Sequence, residues 1–293
     1  MMGRAAKASV LVASVLIVIK AIAWFLSGSI ALLGSLVDSC LDLAASVINY
    51  FAIKTSLEPP DSDHRFGHGK AEAIAGLIQS SIIFGSAIFL TFESISRLLN
   101  PHTVEATTIG IAVSVVAIIL TLGLVLYQKH VVKQTGSVAI EADSLHYTGD
   151  LLLNAAVIAA LFLVNFEGFG LADGFFGMGI AFYIGWTAFG IGRSSIDMLM
   201  DKEFSKAERE EIFNLVMGND DVKGMHDLKT RRSGLQSFIQ MHIELDPEMK
   251  LWDAHAVADE VEATVGEKFN AEILIHTDPL GLEQPPLPHT ELE

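Results

Sequence analysis

Long apolar runs dominate the first two thirds of the chain, and short polar breaks separate them. Six runs are long enough to cross about 30 Å of hydrocarbon as helices. We predict transmembrane helices at residues 8–27, 31–53, 74–95, 107–127, 148–166 and 174–195. The breaks carry turn-forming residues, such as SGS near residue 28 and a polar stretch at 129–144. Residues 1–200 are therefore expected to form a membrane domain.

From residue 201 the pattern changes to that of a small α/β domain. SKAEREEIFNLVMGN predicts a helix with Ser205 as N-cap and Glu208 three residues on. GMHDLKTRRSG and LQSFIQMHIELD alternate like two strands around an SG turn. LWDAHAVADEVEATVGEKF predicts a second helix and AEILIHTD a third strand. We expect an αββαβ domain at 201–280 and a Pro-rich, disordered tail at 281–293.

The basic residues of the short loops fall on one side of the predicted membrane domain, which marks that side as cytoplasmic. They are Arg4, Lys7, Lys54, Arg65, Lys70, Lys129 and Lys133. The opposite side has only Arg97. Both termini are therefore predicted to be cytoplasmic. Arg4 and Lys7 before an apolar run also resemble a secretory signal, but five further spans favour an uncleaved first helix.

Composition supports a membrane protein and narrows its partners. The chain has 293 residues, 51% of them apolar, and a mean hydropathy of +0.45. Of the net charge of −16, most lies from Asp201 onward, where 9 basic residues face 21 acidic ones. This acidity argues against a nucleic-acid partner. The single cysteine, Cys40, excludes an internal disulfide and a cysteine zinc cluster, and its apolar neighbours predict a buried filler.

Two predicted membrane helices each carry a pair of ionisable residues four positions apart. Asp38 and Asp42 lie within LVDSCLDLAAS, and His146 and Asp150 lie within EADSLHYTGD. Such groups cost about 2.5 to 3.5 kcal/mol each in hydrocarbon, so something must offset that cost. Three carboxylates and one imidazole suit a tetrahedral Zn²⁺ or a related divalent ion. The alternative is helix-end capping, which we expect only for Asp143 at the start of the fifth helix.

Two more groups consist of residue types that commonly bind metal ions. Asp61, His64 and His68 share the second loop, where a solvated loop without metal is equally consistent with the spacing. The other group lies in the C-terminal domain and consists of His226, His242, His255, His276 and Asp278. The alternative to a metal site there is a polar sheet face. His276 and Asp278 are predicted to share one strand face.

Two further charged residues lie in or near the predicted spans. We interpret Lys20, in the first span, as a snorkelling or ion-paired residue and Glu72 as a helix-end or interface residue.

Several segments together resemble the cation diffusion facilitator family. They are DSCLD, HRFGHGKAE, ADSLHYTGD and the C-terminal HDLKTRRSG, FIQMHIELD and LIHTDP. The similarity extends over roughly residues 8 to 279, and its nearest subgroup is the bacterial YiiP type, also called ferrous-iron efflux pumps. The fold implied is six transmembrane helices plus a metallochaperone-like cytoplasmic domain.

The resemblance implies a multi-pass homodimer in the bacterial inner membrane that exports Zn²⁺, Cd²⁺ or Fe²⁺ in exchange for protons. It implies a transport site at Asp38, Asp42, His146 and Asp150. It also implies a loop site at Asp61, His64 and His68, and a binuclear site at the dimer interface with ligands His226, His242, His255, His276 and Asp278. A salt bridge between Lys70 and Asp201 would join the membrane and cytoplasmic parts.

A transport cycle follows as a hypothesis, and two rivals remain. Helices that rock between two orientations would expose the four ligands alternately to each side, with His146 as the main proton carrier and selector of the ion. The rivals are an intramembrane metalloenzyme and a metal sensor without transport. The sequence has no HExxH motif, no nucleophile elbow and no GxxxxGK[ST] motif, which favours a secondary transporter over an enzyme or an ATP-driven pump. We expect no organic cofactor.

Overall fold

A computed structural model describes residues 1–28, 30–99, 108–163 and 172–281. The chain divides into two compact units, Met1–Ile196 and Asp197–Glu293. The predicted disordered tail lies outside the described residues from position 282 onward.

The first unit consists of six helices, and the membrane architecture predicted from the apolar runs is confirmed. The helices are α1 (Met2–Ser27), α2 (Ile30–Ser56), α3 (Lys70–Leu99), α4 (Thr108–Thr135), α5 (Val138–Leu163) and α6 (Ala172–Leu199). Within the described residues, every helix of this unit except α5 is long and apolar enough to cross a membrane. Helix α5 has the same 26 residues as α1 in length but carries Glu141, Asp143, His146 and Asp150. We therefore treat it as the sixth span.

The break between the fourth and fifth helices is much shorter than predicted. Helix α4 is terminated by Gly136, the residue after it, whose φ of 64° favours glycine and whose N–H donates to Val132 O at 2.8 Å. Ser137 then caps α5, because its hydroxyl accepts the Ile140 N–H at 3.2 Å. The prediction of Asp143 as N-cap is therefore wrong. His146 and Asp150 lie in the middle of α5 rather than at its start.

Helix α5 is the central element of the membrane unit. It packs along α4 and α3 and also contacts α2 and α1. Ile83, Leu145 and Ile184 belong to a buried cluster that joins α3, α5 and α6. Close approach depends on small residues, since a Cβ at Gly149 would lie 2.9 Å from Ile184 Cδ1. The site residues on α5 are thus held by neighbours on several sides.

Cys40 is exposed, so the prediction that it fills the core is wrong. Its neighbours Val37 and Leu41 are 52% and 65% exposed. In a membrane protein the outward face of a helix is apolar as well, because it meets lipid rather than water. Apolar neighbours therefore do not indicate burial within a span.

The second unit has the predicted αββαβ order. Its elements are α7 (Lys206–Val216), β1 (Gly224–Ser233), β2 (Gln236–Leu245), α8 (Leu251–Phe269) and β3 (Ala271–Pro279). The predicted cap of α7 is confirmed as a capping box: the Ser205 hydroxyl accepts the Glu208 N–H, and the Glu208 carboxylate accepts the Ser205 N–H at 2.9 Å.

The three strands form one sheet with β2 in the centre, antiparallel to β1 and parallel to β3. Ile239, Met241 and Ile243 of β2 belong to the buried core that includes residues of α7 and α8, such as Ile212 and Val261. Because side chains alternate along a strand, the residues between them point to the other face. That open face carries His242 and Glu244.

Candidate metal sites

Asp42, His146 and Asp150 converge inside the helical unit and form what we name the membrane cluster. His146 Nε2 lies 2.9 Å from Asp42 Oδ1 and 3.9 Å from Asp150 Oδ2. One potential ligand atom from each of the three residues lies within 4.8 Å of the others. Residues four apart share one helix face, so α5 contributes His146 and Asp150 together. The cluster can place two oxygen donors and one nitrogen donor around a single ion.

Asp38 is the fourth predicted ligand, and the structure does not place it in this group. It is exposed and lies one turn from Asp42 on α2. It is still close enough to Asp150 and to Lys20 to act on both electrostatically. A role for Asp38 as a ligand therefore stays a prediction, and it would require a change in the side chain or in α2.

Lys20 reaches from α1 to α2 beside the membrane cluster. Its ammonium donates to Ser35 O at 3.1 Å and to Ser39 Oγ at 2.7 Å. The interpretation of Lys20 as snorkelling or ion-paired misses these two acceptors, because nothing in the local sequence indicates which face of α2 packs against α1.

A set of buried polar side chains lies one helical turn from the membrane cluster, and we name it the buried layer. It comprises Ser9, Ser46, Gln79, Gln128, Asp143 and Tyr147. Asp143 is its centre: Oδ2 accepts hydrogen bonds from Ser9 Oγ at 2.5 Å and Gln128 Nε2 at 2.7 Å, and Oδ1 accepts one from Gln79 Nε2 at 3.2 Å. Tyr147 and Ser46 are joined hydroxyl to hydroxyl at 2.8 Å. The layer connects the first five helices, and no sequence pattern had indicated it.

Glu72 is almost fully buried in the first turn of α3, although it was interpreted only as a helix-end or interface residue. Its carboxylate lies beside the Ser137 hydroxyl and the N–H groups of Val138 and Ala139. These donors form the N-terminus of α5, where a negative charge is favoured by the helix dipole. Glu72 is thus both a helix-end residue and a contact between two helices.

Asp61, His64 and His68 come together in the loop between α2 and α3 and form the loop cluster. Asp61 Oδ1 lies 3.4 Å from His64 Nδ1, and Asp61 Oδ2 lies 3.3 Å from His68 Nε2. The backbone N–H groups of His64 and Asp63 donate to the Asp61 carboxylate and lower its pKa. The carboxylate is therefore held in the ionised form that a metal requires.

The open face of the sheet gathers three histidines and an aspartate. His226 pairs in register with His242, which pairs with His276 on the other side. Asp278 is buried and lies among them, with Oδ2 at 2.8 Å from His242 Nδ1 and at 3.4 Å from His226 Nε2, and Oδ1 at 3.3 Å from His276 Nε2. We name these four residues the sheet cluster.

His255 stands apart from the sheet cluster. Its side chain is 70% exposed on α8, where Nδ1 lies 3.5 Å from Asp259 Oδ1. Its assignment to a binuclear site at a dimer interface stays a prediction.

Two acidic residues beside the sheet cluster were missed. Glu244 Oε1 lies 3.8 Å from His226 Nε2, and Asp227 Oδ2 lies 3.7 Å from His242 Nε2. Strand alternation predicts Glu244 on the face of His242, so a period-2 pattern already carried that signal. Asp227 lies in an irregular part of β1 with φ of 50°, and no local pattern indicates where its side chain goes.

The predicted salt bridge between Lys70 and Asp201 joins residues of different units. Within its own unit, Asp201 Oδ2 lies 3.3 Å from Arg231 Nη1. The pairing with Lys70 stays a prediction.

Two family models match the chain along nearly its whole length. Residues 6–200 match a cation efflux transmembrane domain, and residues 204–280 match the cytoplasmic domain of cation efflux proteins, a model with the label ZT_dimer. The chain belongs to the cation diffusion facilitator family. It is accordingly a multi-pass membrane transporter for the efflux of divalent metal cations, and its cytoplasmic unit is of a dimerisation type.

Relatives in this family are similar over almost their full length. The cation-efflux pump FieF of Shewanella oneidensis is 49% identical over 95% of this chain and 94% of its own. The FieF of Serratia proteamaculans is 44% identical over 95% of this chain and 93% of its own. Among solved structures, the metal-bound C-terminal domain of the CzcD transporter from Thermotoga maritima is 30% identical over 26% of this chain and 93% of its own, with a TM-score of 0.25.

Proposed function

We propose that this family member exports Zn²⁺, and also Cd²⁺ and Fe²⁺, in exchange for protons, and that the membrane cluster is the transport site. The observation that carries the proposal is the meeting of Asp42, His146 and Asp150 in the interior of the helical unit. Ionisable side chains inside a membrane domain are costly and mark ion pathways. A divalent ion among them would offset that cost.

The donor set supports the choice of ion. An imidazole nitrogen suits Zn²⁺ and related transition metals, whereas Mg²⁺ and Ca²⁺ prefer oxygen ligands alone. His146 provides that nitrogen, and Asp42 and Asp150 provide oxygens. Asp38, one turn along α2, is the proposed fourth ligand.

Proton coupling follows from the chemistry of these ligands. A carboxylate or imidazole must lose its proton to bind a metal, so metal binding and proton release are linked. On the side where metal leaves, protons take its place on Asp42, His146 and Asp150. Metal and protons then cross in opposite directions.

The buried layer supports alternating access. With the termini on the cytoplasmic side, α1 and α5 run outward and α2 runs inward, so Ser9, Ser46 and Asp143 lie on the cytoplasmic side of the cluster. These residues are fully buried, whereas the side chains of His146, Asp42 and Asp150 are 25%, 21% and 36% exposed. We infer a state that is closed towards the cytoplasm, with the buried layer as its seal.

The sheet cluster and the loop cluster fit resident metal ions. His226, His242 and Asp278 offer two imidazoles and a carboxylate, a set suited to Zn²⁺. A metal there would add electrostatic attraction that holds the strands and their charged side chains together. We further propose that the protein acts as a homodimer in a bacterial inner membrane, with both termini and the acidic second unit in the cytoplasm.

Flux measurements test the transport site. The purified protein in liposomes, with a metal-sensitive dye and a pH-sensitive dye in the lumen, should move Zn²⁺ only when protons move in the opposite direction. Asp42→Asn and His146→Ala should reduce this flux to the rate of empty liposomes, since each removes a ligand. Glu248→Gln, an exposed acid of the second unit, is the matched control and should transport normally.

Four results would contradict the proposal. Normal flux in either ligand variant would remove the membrane cluster from the pathway. Flux that ignores the pH gradient would indicate a channel. Metal binding without flux would indicate a sensor, and metal-dependent cleavage of peptides by the protein would indicate the enzyme alternative.

A further inference from the structure

Lys20 is a cation placed beside the membrane cluster without occupying it. It lies deep in α1, and its ammonium is held by Ser35 O at 3.1 Å and Ser39 Oγ at 2.7 Å, both on α2. Ser39 is almost fully buried. A snorkelling lysine extends towards the end of its helix. Lys20 instead reaches sideways to the helix that carries Asp38 and Asp42.

The carboxylates of the site act electrostatically on Lys20. Asp42 acts on it most strongly, followed by Asp150 and Asp38. Three carboxylates close together repel one another strongly where the surroundings are poor in water. A fixed positive charge nearby reduces that repulsion.

The hydrogen bonds of Lys20 go to neutral acceptors, a backbone carbonyl and a serine hydroxyl. The ammonium therefore contributes charge at a distance and leaves the Asp42 and Asp150 oxygens to face His146. A lysine bonded directly to those oxygens would compete for the positions of metal ligands. The observed arrangement separates charge compensation from ligation.

We propose that Lys20 is a resident counter-ion of the transport site, which balances the aspartates when no metal is bound and repels a divalent ion when one is. This inference rests on the proposed function. A divalent ion at the cluster adds two positive charges beside the Lys20 ammonium. Lys20 thereby weakens metal binding and speeds release, so that the site does not trap its cargo. Lys20 acts through its charge and does not bind the metal itself.

The test compares charge removal with charge retention in the full-length protein. Lys20→Met removes the charge and keeps most of the apolar stem, and Lys20→Arg keeps the charge. Zn²⁺ affinity is measured by calorimetry in detergent, each variant being compared with its own Asp42→Asn counterpart, so that the difference reports the membrane cluster alone. Lys7→Met, which removes an exposed lysine from the same helix, is the matched control.

We expect Lys20→Met to bind Zn²⁺ about 10- to 100-fold more tightly at this cluster, because a like charge has been removed. In liposomes its KM and its maximal flux should both fall, since release becomes slow. Lys20→Arg and Lys7→Met should stay within about threefold of the unaltered protein. A residue that only supports the fold would weaken binding or leave it unchanged.

Unchanged or weaker Zn²⁺ affinity in folded Lys20→Met would overturn the counter-ion role. If Lys20→Met unfolds without metal, Lys20→Gln replaces it, and the measurement becomes the increase in thermal stability on adding Zn²⁺. This increase should be larger in Lys20→Gln than in the unaltered protein. An equal or smaller increase overturns the proposal. Failure of the transport site itself is distinguishable, because Asp42→Asn would then retain normal flux. If Asp42→Asn abolishes flux while Lys20→Met binds normally, only the counter-ion role fails.

Discussion

The membrane cluster and the sheet cluster use the same ligand chemistry on different scaffolds. In the membrane cluster, Asp42 comes from α2 and His146 from α5, and the contact between these two residues is made by side chains alone. In the sheet cluster, His226, His242 and His276 stand in register on adjacent strands, whose backbones are hydrogen-bonded to each other. One set of ligands can separate when two helices move, and the other cannot without breaking a sheet.

This difference fits the two roles proposed for them. A transport site must release its ion, so its ligands belong on elements that can shift against each other. A resident site is best held by a rigid scaffold that keeps donor distances constant. Among the described residues, the membrane cluster has no backbone hydrogen bonds between its helices, and the buried layer takes that role. Its side chains join four helices at Asp143 and the fifth, α2, through the contact between Ser46 and Tyr147.

The largest effect is expected from removing the centre of the buried layer. Asp143→Ala leaves the donors of Ser9, Gln79 and Gln128 without their shared acceptor, and it should destabilise the membrane unit by about 3 kcal/mol. Thermal unfolding of the protein in detergent measures this. Zn²⁺ binding at the sheet cluster should be unchanged, because the sheet does not depend on the layer.

Asp220→Ala, which removes an exposed acid from the second unit, is the matched control for Asp143→Ala. Equal stability of the two variants would mean that the layer is not what holds the helices together.

A smaller effect is expected at the sheet cluster. His242→Ala removes the central histidine and leaves Asp278 without its contact at 2.8 Å. Zn²⁺ affinity of this cluster should fall by about 10- to 100-fold. Equilibrium dialysis against a chromophoric chelator measures the loss, and flux through the membrane cluster should persist.

His130→Ala removes an exposed histidine at the end of α4 and should bind Zn²⁺ normally. If His242→Ala abolishes flux as completely as Asp42→Asn, the separation of the two clusters into resident and transport roles is wrong.

The smallest effect is expected at Glu208, in the capping box of α7. Burial acts to raise the pKa of Glu208, but hydrogen bonds from Ser205 and the nearby Arg232 outweigh it, so the pKa is lowered. The folded state therefore favours the carboxylate. Its contribution to stability is present above the unfolded pKa of about 4.3 and is lost as pH falls through the lowered folded pKa.

Glu208→Gln should accordingly destabilise the second unit at pH 7 by about 0.5 kcal/mol, a small value because the group is partly exposed to water. The difference from the unaltered protein should shrink towards pH 3. Hydrogen exchange of the α7 amides measures it, and a difference that stays constant from pH 7 to pH 3 would contradict the charge-based explanation. Glu210→Gln, an acid of the same helix outside the capping box, is the control.

How much of the structure could be predicted from the sequence depends on how far apart in the chain the interacting residues are. The i, i+4 spacing is enough to predict that His146 and Asp150 share one face of α5, and strand alternation is enough to predict that His276 lies with Asp278. The prediction of Asp143 as the cap of α5 was wrong, because Gly136 and Ser137 end one helix and start the next within two residues. The prediction for Cys40 was wrong because lipid and protein interior present the same apolar signal.

By itself, the sequence determined the six helices, the αββαβ order, the capping box at Ser205 and the residue types of three candidate metal sites. These follow from local periodicity and from the chemistry of side chains close together in the chain. Only the tertiary structure decided that Asp143 is the centre of a buried layer, that Asp227 approaches His242, and that Lys20 faces α2. Each of these depends on which faces of distant segments pack together, and that choice is made by the summed contacts of the whole unit rather than by any local pattern.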